Sequence, residues 1–429
     1  MKTWLSVIAL CFLTAPGAWA QHEEHQPSPH MTNPPKSLGF SAQEVQEDPM
    51  GTLMRRMRQQ GSGTSLQPGP LPMTMGHREA GGWQWALHGN ALLAWNGATG
   101  PRGYGAPSLS NWGMAMGSRV LGPGIADLRF MGSLDPATIP RGGTPQLFQT
   151  GETFEGRPLI DRQHPHDLFM ELAGRYSVPW KNSTLFLYGG PVGEPALGPN
   201  AFMHRASAAD NALAPLAHHI HDSTHISMGV LTGGVQWERW QAEASLFQGR
   251  EPDENRWNID FGPLDSYSGR LSFSPSEEWV LQASSGFLRQ PEPGEKGNLI
   301  RTTASIHCNR IVQGNHWATA LIWGRNLPVE SSELPQTGWL LETTWDGSRQ
   351  NHLYGRLEIV DKLGLLANVS NAARVGAVTL GFVHDLRLTP LALGLGGDVT
   401  LYSKPRELNP FYGDNPLAFR IFLRASPPK

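Results

Sequence analysis

Trp83-Gln84-Trp85-Ala86-Leu87-His88-Gly89-Asn90-Ala91-Leu92-Leu93-Ala94-Trp95-Asn96 alternates with a period of two. Trp83, Trp85, Leu87, Gly89, Ala91, Leu93 and Trp95 share one face, and Gln84, Ala86, His88, Asn90 and Asn96 share the other. One side of such a strand suits hydrocarbon and the other suits water. At ~3.3 Å per residue and a tilt of roughly 35–45°, Trp85 and Trp95 stand about 25 Å apart along a membrane normal, the separation of the two aromatic girdles of a spanning barrel.

A buried strand of a soluble protein alternates too, so the count of segments matters. About sixteen follow one another, in the manner of a closed outer-membrane sheet. The second, 108 to 121, is read with Trp112, Met114, Met116 and Val120 outward and Asn111, Gly113, Ala115, Gly117 and Arg119 inward. The third, 125 to 134, puts Leu128, Phe130 and Leu134 outward against Asp127, Arg129 and Ser133. Others run 167 to 177, 183 to 189, 223 to 237, 239 to 248, 266 to 273, 279 to 288, 300 to 310, 316 to 324, 337 to 345, 352 to 360, 374 to 384 and 391 to 402. The last, 416 to 424, sets Leu417, Phe419, Ile421 and Leu423 outside and Ala418, Arg420 and Arg424 inside.

The connections alternate in length. Short ones lie at Gly122 to Gly124, Pro179 to Asn182, Trp237-Glu238, Ser274 to Glu278, Gln313 to Asn315, Asp346 to Arg349 and Arg387 to Pro390. Long ones lie at 97–107, 135–165, 190–222, 250–264, 290–298, 325–336, 361–372 and 403–414. Short turns on the periplasmic rim and long extracellular loops are the pattern of such barrels. The fold class is therefore all-β, a transmembrane antiparallel β-barrel of about 16 strands, with long extracellular loops and a mostly disordered periplasmic N-terminal lead.

Three parts follow. Residues 1–20 read as a signal peptide, with Lys2, an apolar Trp4 to Leu13 and a small-residue cleavage site at Ala18-Trp19-Ala20. Residues 21–82 form a flexible Met/His-containing periplasmic lead, and 83–429 the outer-membrane barrel. Cys11 lies in the signal, so Cys308 is the one cysteine of the mature chain and has no internal partner. An apolar content of 39% is enough, because only alternate residues meet lipid. A net charge of −3 argues against a nucleic-acid partner.

The lead carries His22, His25, His30, Met31, Met50, Met54, Met57, Met73, Met75 and His77. Thioether and imidazole together favour Cu(I), and imidazole also serves Zn or Cu(II). A second reading is structural: Met50, Leu53, Met54 and Met57 recur at helical spacing with Arg55, Arg56 and Arg58 on the remaining faces, as in a tether or plug.

The densest chemistry lies further on, where seven of the sixteen histidines fall between 164 and 225. His164, His166, Asp167, His204, His218, His219, His221, Asp222 and His225 are the candidate metal ligands, because imidazole with carboxylate beside it is the make-up of a Zn or Cu(II) site. The lumen is expected to be lined by Arg119, Asp127, Arg129, Glu171, Arg175, Arg239, Glu243, Arg270, Glu342, Arg356 and Glu358, with Arg301, Asp398, Arg420 and Arg424. Asp127 with Arg119, Glu171 with Arg175 and Glu243 with Arg239 are the expected pairs. His225 and Ser227, two apart, would share a strand face as a base and nucleophile require. Ile226, Met228 and Val230 then face lipid, which turns that pair toward the lumen.

In strand number, loop alternation and inward polar faces, residues 83 to 424 resemble bacterial porins. The resemblance implies a pore, a third loop folded inward, and a monomer or homo-trimer. The Met/His-rich lead before a barrel resembles the outer-membrane copper resistance protein B family. His225-Ile226-Ser227 is similar to the His-x-Ser element of outer-membrane phospholipases and lipid A deacylases. DRQHPHDLFMEL, GEPALGPNAFMHR, HDSTHISMG and GREPDENRW look like fixed phrases of an outer-membrane family. The expected function is porin-like passage of small solutes or ions in the outer membrane, linked to copper or zinc handling. The alternatives are a metal-sequestering barrel with a closed lumen, and a lipid hydrolase using His225 and Ser227.

Overall fold

The computed structural model describes residues 37–69, 75–211, 213–291, 297–329, 334–348, 350–366, 372–386 and 392–427. The signal segment, His22, His25, His30, Met31 and Met73 of the lead, and the turn Arg387 to Pro390 lie outside the described residues.

The strands are β1 (Gly76–Ala80), β2 (Trp83–Ala98), β3 (Tyr104–Leu121), β4 (Gly124–Gly132), β5 (Thr144–Phe154), β6 (Arg157–Gln163), β7 (Phe169–Trp180), β8 (Ser183–Val192), β9 (Val230–Trp237), β10 (Trp240–Phe247), β11 (Ser266–Ser276), β12 (Trp279–Arg289), β13 (Asn298–Val312), β14 (Asn315–Val329), β15 (Gln336–Ser348), β16 (Asn351–Lys362), β17 (Ala373–Leu386), β18 (Ala392–Ser403) and β19 (Leu417–Ser426). β2 to β4 and β7 to β19 are the sixteen staves of a barrel, each antiparallel to the next, with β4 paired to β7 and β19 paired back to β2. β19 covers β2 only from Ala91 to Ala98, and β1 pairs with Trp83 to Leu87 on the remaining edge. β5 and β6 form a separate hairpin within the connection from β4 to β7.

The outward faces are apolar: Leu93, Trp95, Leu128, Phe130, Leu187, Leu271, Leu321, Leu357, Leu380 and Ile421 are exposed around the ring. A closed belt of this kind belongs in hydrocarbon. No described helix is long and apolar enough to cross a membrane, so the crossing is made by strands. The protein is an outer-membrane β-barrel. Cys308 lies half-buried on the outer face, unpaired.

Three sequence expectations are corrected. β3 is turned over: Met114, Met116 and Ser118 are buried inside while Gly113 and Arg119 are exposed. Gly117 faces out because the Trp85 indole from the opposed position lies over it, where a Cβ would come within 3.0 Å. The connection after β2 is short, Thr99 to Gly103, because β2 and β3 run past the expected strand ends. β9 begins at Val230, so Ser223 to Gly229 belong to the preceding loop and not to the wall.

Part of the lead folds inside the barrel. The Leu38 amide donates to the Glu238 carbonyl at one periplasmic turn, and the Gly69 amide to the Glu277 carbonyl at another. Between them run α1 (Ala42–Glu47), opened by a Ser41/Glu44 capping box, and α2 (Pro49–Gln59), capped by Asp48 with Pro49 in its first turn. The expected helical spacing is real, but Arg56 is not on a solvated face. It is buried, and donates to Asp127 at 3.1 Å and Ser177 at 3.0 Å on the inner wall. Past α2, the Gly61 and Gly63 carbonyls accept from Arg129, and Thr64 accepts from Gln241 and Arg270. Residues 37–69 are therefore a plug held by inward-facing wall residues.

Candidate functional site in the filled lumen

Residues 193 to 229 leave β8 and fold into the barrel rather than over it. Their carbonyls and carboxylates satisfy wall arginines on many sides. Arg270 donates to the Gly198 carbonyl, Arg301 to His219, Arg356 to Leu213, Arg420 to Asn211, and Arg424 pairs with Asp210. In the opposite sense, Arg205 reaches from the loop to the wall. Its Nε donates to Glu342 and its Nη1 to Asp222, both at 2.6 Å. Asn200 ties the loop to the plug, accepting from the Ser62 hydroxyl at 2.9 Å. Nearer the extracellular rim, the β5–β6 hairpin joins in. Gln146 donates to the Ala214 carbonyl, Gln149 to Pro215, and Phe148 stacks on Tyr412 at 4.2 Å. Leu147, Leu216, Ile220, Val360 and Val375 form one apolar cluster with these rings.

The lumen residues fall mostly where the alternation placed them, but their partners differ. Glu243 pairs with Arg270, Glu342 with Arg356, and Asp398 with Arg420, each directly opposed across neighbouring strands. Such pairs are the cross-strand ladder of the inner wall. Glu171 pairs with Arg129 at 3.0 Å and not with Arg175, whose guanidinium lies 3.8 Å over the Phe186 ring. Asp127 pairs with Arg56 of the plug and not with Arg119. Arg119 is exposed at the rim and Arg239 belongs to the turn between β9 and β10, so neither lines the lumen. Glu358 is buried and faces the loop, 3.4 Å from the Ala217 amide.

Five of the seven histidines do converge. Ring centroids lie 5.1 Å apart for His218 and His225, 5.2 Å for His218 and His219, 5.6 Å for His164 and His219, and 5.9 Å for His166 and His225. The hinge for this is α3 (His218–His221) and the 3₁₀ turn Ser223–His225, which bring the loop back toward the strand entry at His164 to Asp167. His166 Nδ1 lies 2.9 Å from Asp135, His218 Nδ1 2.7 Å from Asp222, and His225 Nδ1 donates to the Asp222 carbonyl at 2.9 Å. An oxygen on Nδ1 fixes the ring and leaves Nε2 as the free ligand atom, which is how metal-binding imidazoles are held. Nε2 of His166 and of His225 is buried with no hydrogen-bond partner.

Burial, then the neighbouring His218 and His166, pushes His225 down to about 3. Burial lowers His164 far below its ordinary value, helped by His219. Burial alone would raise the Asp222 carboxyl, but Arg205 and His218 outweigh it and hold Asp222 far below the usual range. His164, His218 and His225 are thus neutral imidazoles near an ionised Asp222. Its donor atoms are not gathered at a single point: among the described residues no three His, Cys, Asp or Glu side chains are set to hold an ion as they stand.

The remaining candidates go elsewhere. His221 Nε2 donates to the Gly338 carbonyl at 3.0 Å, Asp167 pairs with Arg256 at 3.1 Å, and His204 Nε2 stands 3.3 Å from Met131 Sδ. The hydrolase geometry is absent. Ile226 and Met228 are buried inside the barrel and not in the lipid face, and the Ser227 hydroxyl donates to the Thr224 carbonyl at 3.1 Å. Arg205 stands beside His204 in the third long loop, within the histidine-rich stretch of the sequence. Asp135, on His166, and Glu152, 3.2 Å from His164 Nε2, have no signal in the sequence beyond lying in the long connection that ends at those histidines.

No protein-family model matches the chain, and comparison with curated proteins finds no match, so the resemblance to copper resistance protein B has no support there. Similar solved structures include an anion-selective porin from Comamonas acidovorans, 10% identical, covering 80% of this chain and 99% of that one with a TM-score of 0.47. Salmonella typhi OmpF in complex with daunomycin is 8% identical, covering 82% and 99%, with a TM-score of 0.49. Pseudomonas putida OprB at high pH is 10% identical, covering 80% and 94%, with a TM-score of 0.48. From its own geometry, the chain is a closed sixteen-stranded outer-membrane barrel whose lumen is occupied by its own residues.

Proposed function

We propose that this protein is a transport barrel, a porin-like passage for small solutes or ions that is shut at rest by its plug and its third loop. One observation carries the reading: the ring of sixteen strands closes through its own backbone ladder, while plug and loop are held within it largely by side-chain contacts, with backbone bonds to the barrel only at their ends, Leu38, Gly69 and Gly229. A ring of this size encloses an aqueous channel once emptied. A cavity of about 120 Å³ remains between loop and wall, lined by His88, Asn90, Asn111, His352, Asp385 and Arg424 among others. It is a chamber bounded by the third loop and the wall, so passage of a solute through the barrel requires the plug or the loop to shift.

The test is planar-bilayer conductance of the mature chain and of a variant lacking residues 37–69. The expected result is little or no conductance in the first and steady steps in the second. A silent deletion variant with a correctly closed barrel, or a full chain that already conducts like the deletion, overturns the proposal.

A second reading, sequestration of Zn or Cu(II) in a closed lumen, is favoured by the five converging histidines. Replacing His166 and His225 together by Ala is expected to lower Zn(II) affinity sharply in titration calorimetry. An unchanged isotherm removes that reading.

A further inference from the structure

We infer that the inner wall carries a second, chemically softer site, in which His88, Met114, Met131 and His204 bind a monovalent soft ion, Cu(I) or Ag(I). The row is built by strand register. His88 on β2 is directly opposed to Met114 on β3, and Met114 is directly opposed to Met131 on β4, all three inside. The 3₁₀ turn Phe202–His204 of the third loop brings His204 onto this row.

The donors are already close. His88 Nε2 lies 3.2 Å from Met114 Sδ, His204 Nε2 lies 3.3 Å from Met131 Sδ, and the two imidazoles are 5.5 Å apart. Around a four-coordinate ion with bonds of roughly 2.0 Å to nitrogen and 2.3 Å to sulfur, neighbouring N and S donors stand about 3.5 Å apart. Each pair therefore needs to open by only a few tenths of an ångström. The Trp112 ring closes the side, 5.1 Å from His88 and 5.3 Å from His204.

Methionine fills irregular gaps in many cores, and that accounts for one or two such residues. Here Met57, Met75, Met114, Met116, Met131, Met170, Met203 and Met228 belong to one cluster, out of thirteen in the chain. His88 Nδ1 is buried with no hydrogen-bond partner and its Nε2 meets Met114 Sδ, so no oxygen competes for the ring nitrogens of this imidazole. The wall carboxylate directly opposed to Met131, Glu171, is taken by Arg129 and by the Tyr188 hydroxyl. Thioether and imidazole without carboxylate select Cu(I) and leave hard divalent ions unserved. The site is separate from the five-histidine cluster, takes a different class of ion, and does not depend on the lumen conducting.

The experiment is Cu(I) binding by the full mature chain in detergent micelles, under reductant and against a competing chelator, with X-ray absorption of the loaded protein. The variant is Met114→Leu with Met131→Leu, a volume-conserving pair that leaves the packing intact. The expected result is mixed nitrogen and sulfur scattering in the parent, and an affinity at least 100-fold lower in the variant with Zn(II) binding unchanged. A variant within threefold of the parent, or a parent spectrum without sulfur, overturns the inference. Conductance of the metal-free protein is read separately, so failure here is distinct from failure of the transport reading.

Discussion

Arg205 is the point at which the third loop can be loosened without touching the barrel. The side chain is 1% exposed, with Glu342 on one side and Asp222 on the other, so water cannot replace it. Arg205→Met keeps most of the stem volume and removes the charge. Removing one partner of a buried ion pair costs about 3–5 kcal/mol, mainly through the charge left behind. The lower end applies here. Glu342 keeps Arg356 at 3.1 Å and Ser207 at 3.0 Å, and Asp222 keeps His218 at 2.7 Å. At about 1.36 kcal/mol per tenfold, a loss of about 3 kcal/mol is a factor of about 150 in loop opening. Hydrogen exchange of the refolded chain in micelles reads this directly, since local opening sets the rate of protected amides. Amides of residues 197–229 are expected to exchange about 100-fold faster while those of β13 to β16 stay unchanged. Adding Asp222→Asn to Arg205→Met is expected to restore part of the protection, because Asp222 is then left with only the His218 imidazole whereas Glu342 keeps the Arg356 guanidinium. Loop exchange within threefold of the parent, or equal acceleration in loop and strands, would refute the reasoning.

Acid should loosen the same loop. A free imidazole titrates near 6.5, whereas burial holds His225 at about 3 and His221 at about 4. The opened loop therefore takes up protons below 6.5 that the packed loop refuses, so packing is at full strength above that pH and weakens as pH falls through it. Between pH 7.5 and 5.5 each histidine contributes about 1.4 kcal/mol toward opening, about tenfold. Loop exchange, corrected for its intrinsic pH dependence, should rise accordingly, and pH-independent protection would contradict the neutral cluster. On the outer face, Ile421 is 60% exposed in the ring of apolar residues. Ile421→Arg is expected to destabilise the barrel in lipid vesicles by about 2–4 kcal/mol if it lies near mid-bilayer, read by denaturant unfolding; a loss under about 0.5 kcal/mol would mean that this face is not in lipid.

The strands were legible because a lipid-facing wall forces a period of two, and β2 and β19 show the expected faces residue by residue. β3 misled because the rule that apolar means outward assumes water inside. With the lumen packed by plug and loop, Met114 and Met116 are inside and Gly113, Ala115 and Gly117 are on the outer face, Gly117 beneath the Trp85 indole. The same cause hid the end of the third loop: Ile226 and Met228 look like a lipid face, yet they are buried against the methionine cluster. Convergence of the histidines was visible from loop adjacency, since the strands on either side of the loop are neighbours. Which histidines turned away was not, because His204 and His221 are directed by Met131 and Gly338, partners far off in sequence. The helical spacing around Met57 was legible, but not the burial of Arg56, which depends on Asp127 across the lumen.

Both ends of the plug leave the barrel at the same rim, beside turns one hairpin apart, at Glu238 and Glu277. No strand pair of the ring has to break for residues 37–69 to come out. A pull from the periplasm on the chain before Leu38 would load the Glu238 contact first, then Thr184, then the Arg56 ion pair, and only afterwards the bonds at Gly61 to Thr64. Anchors stressed in series yield one at a time under modest force, whereas the same contacts resist together against pressure from the lumen. By this order of contacts the segment would act as a one-way stopper, harder to push through than to draw out from the rim where Leu38 stands.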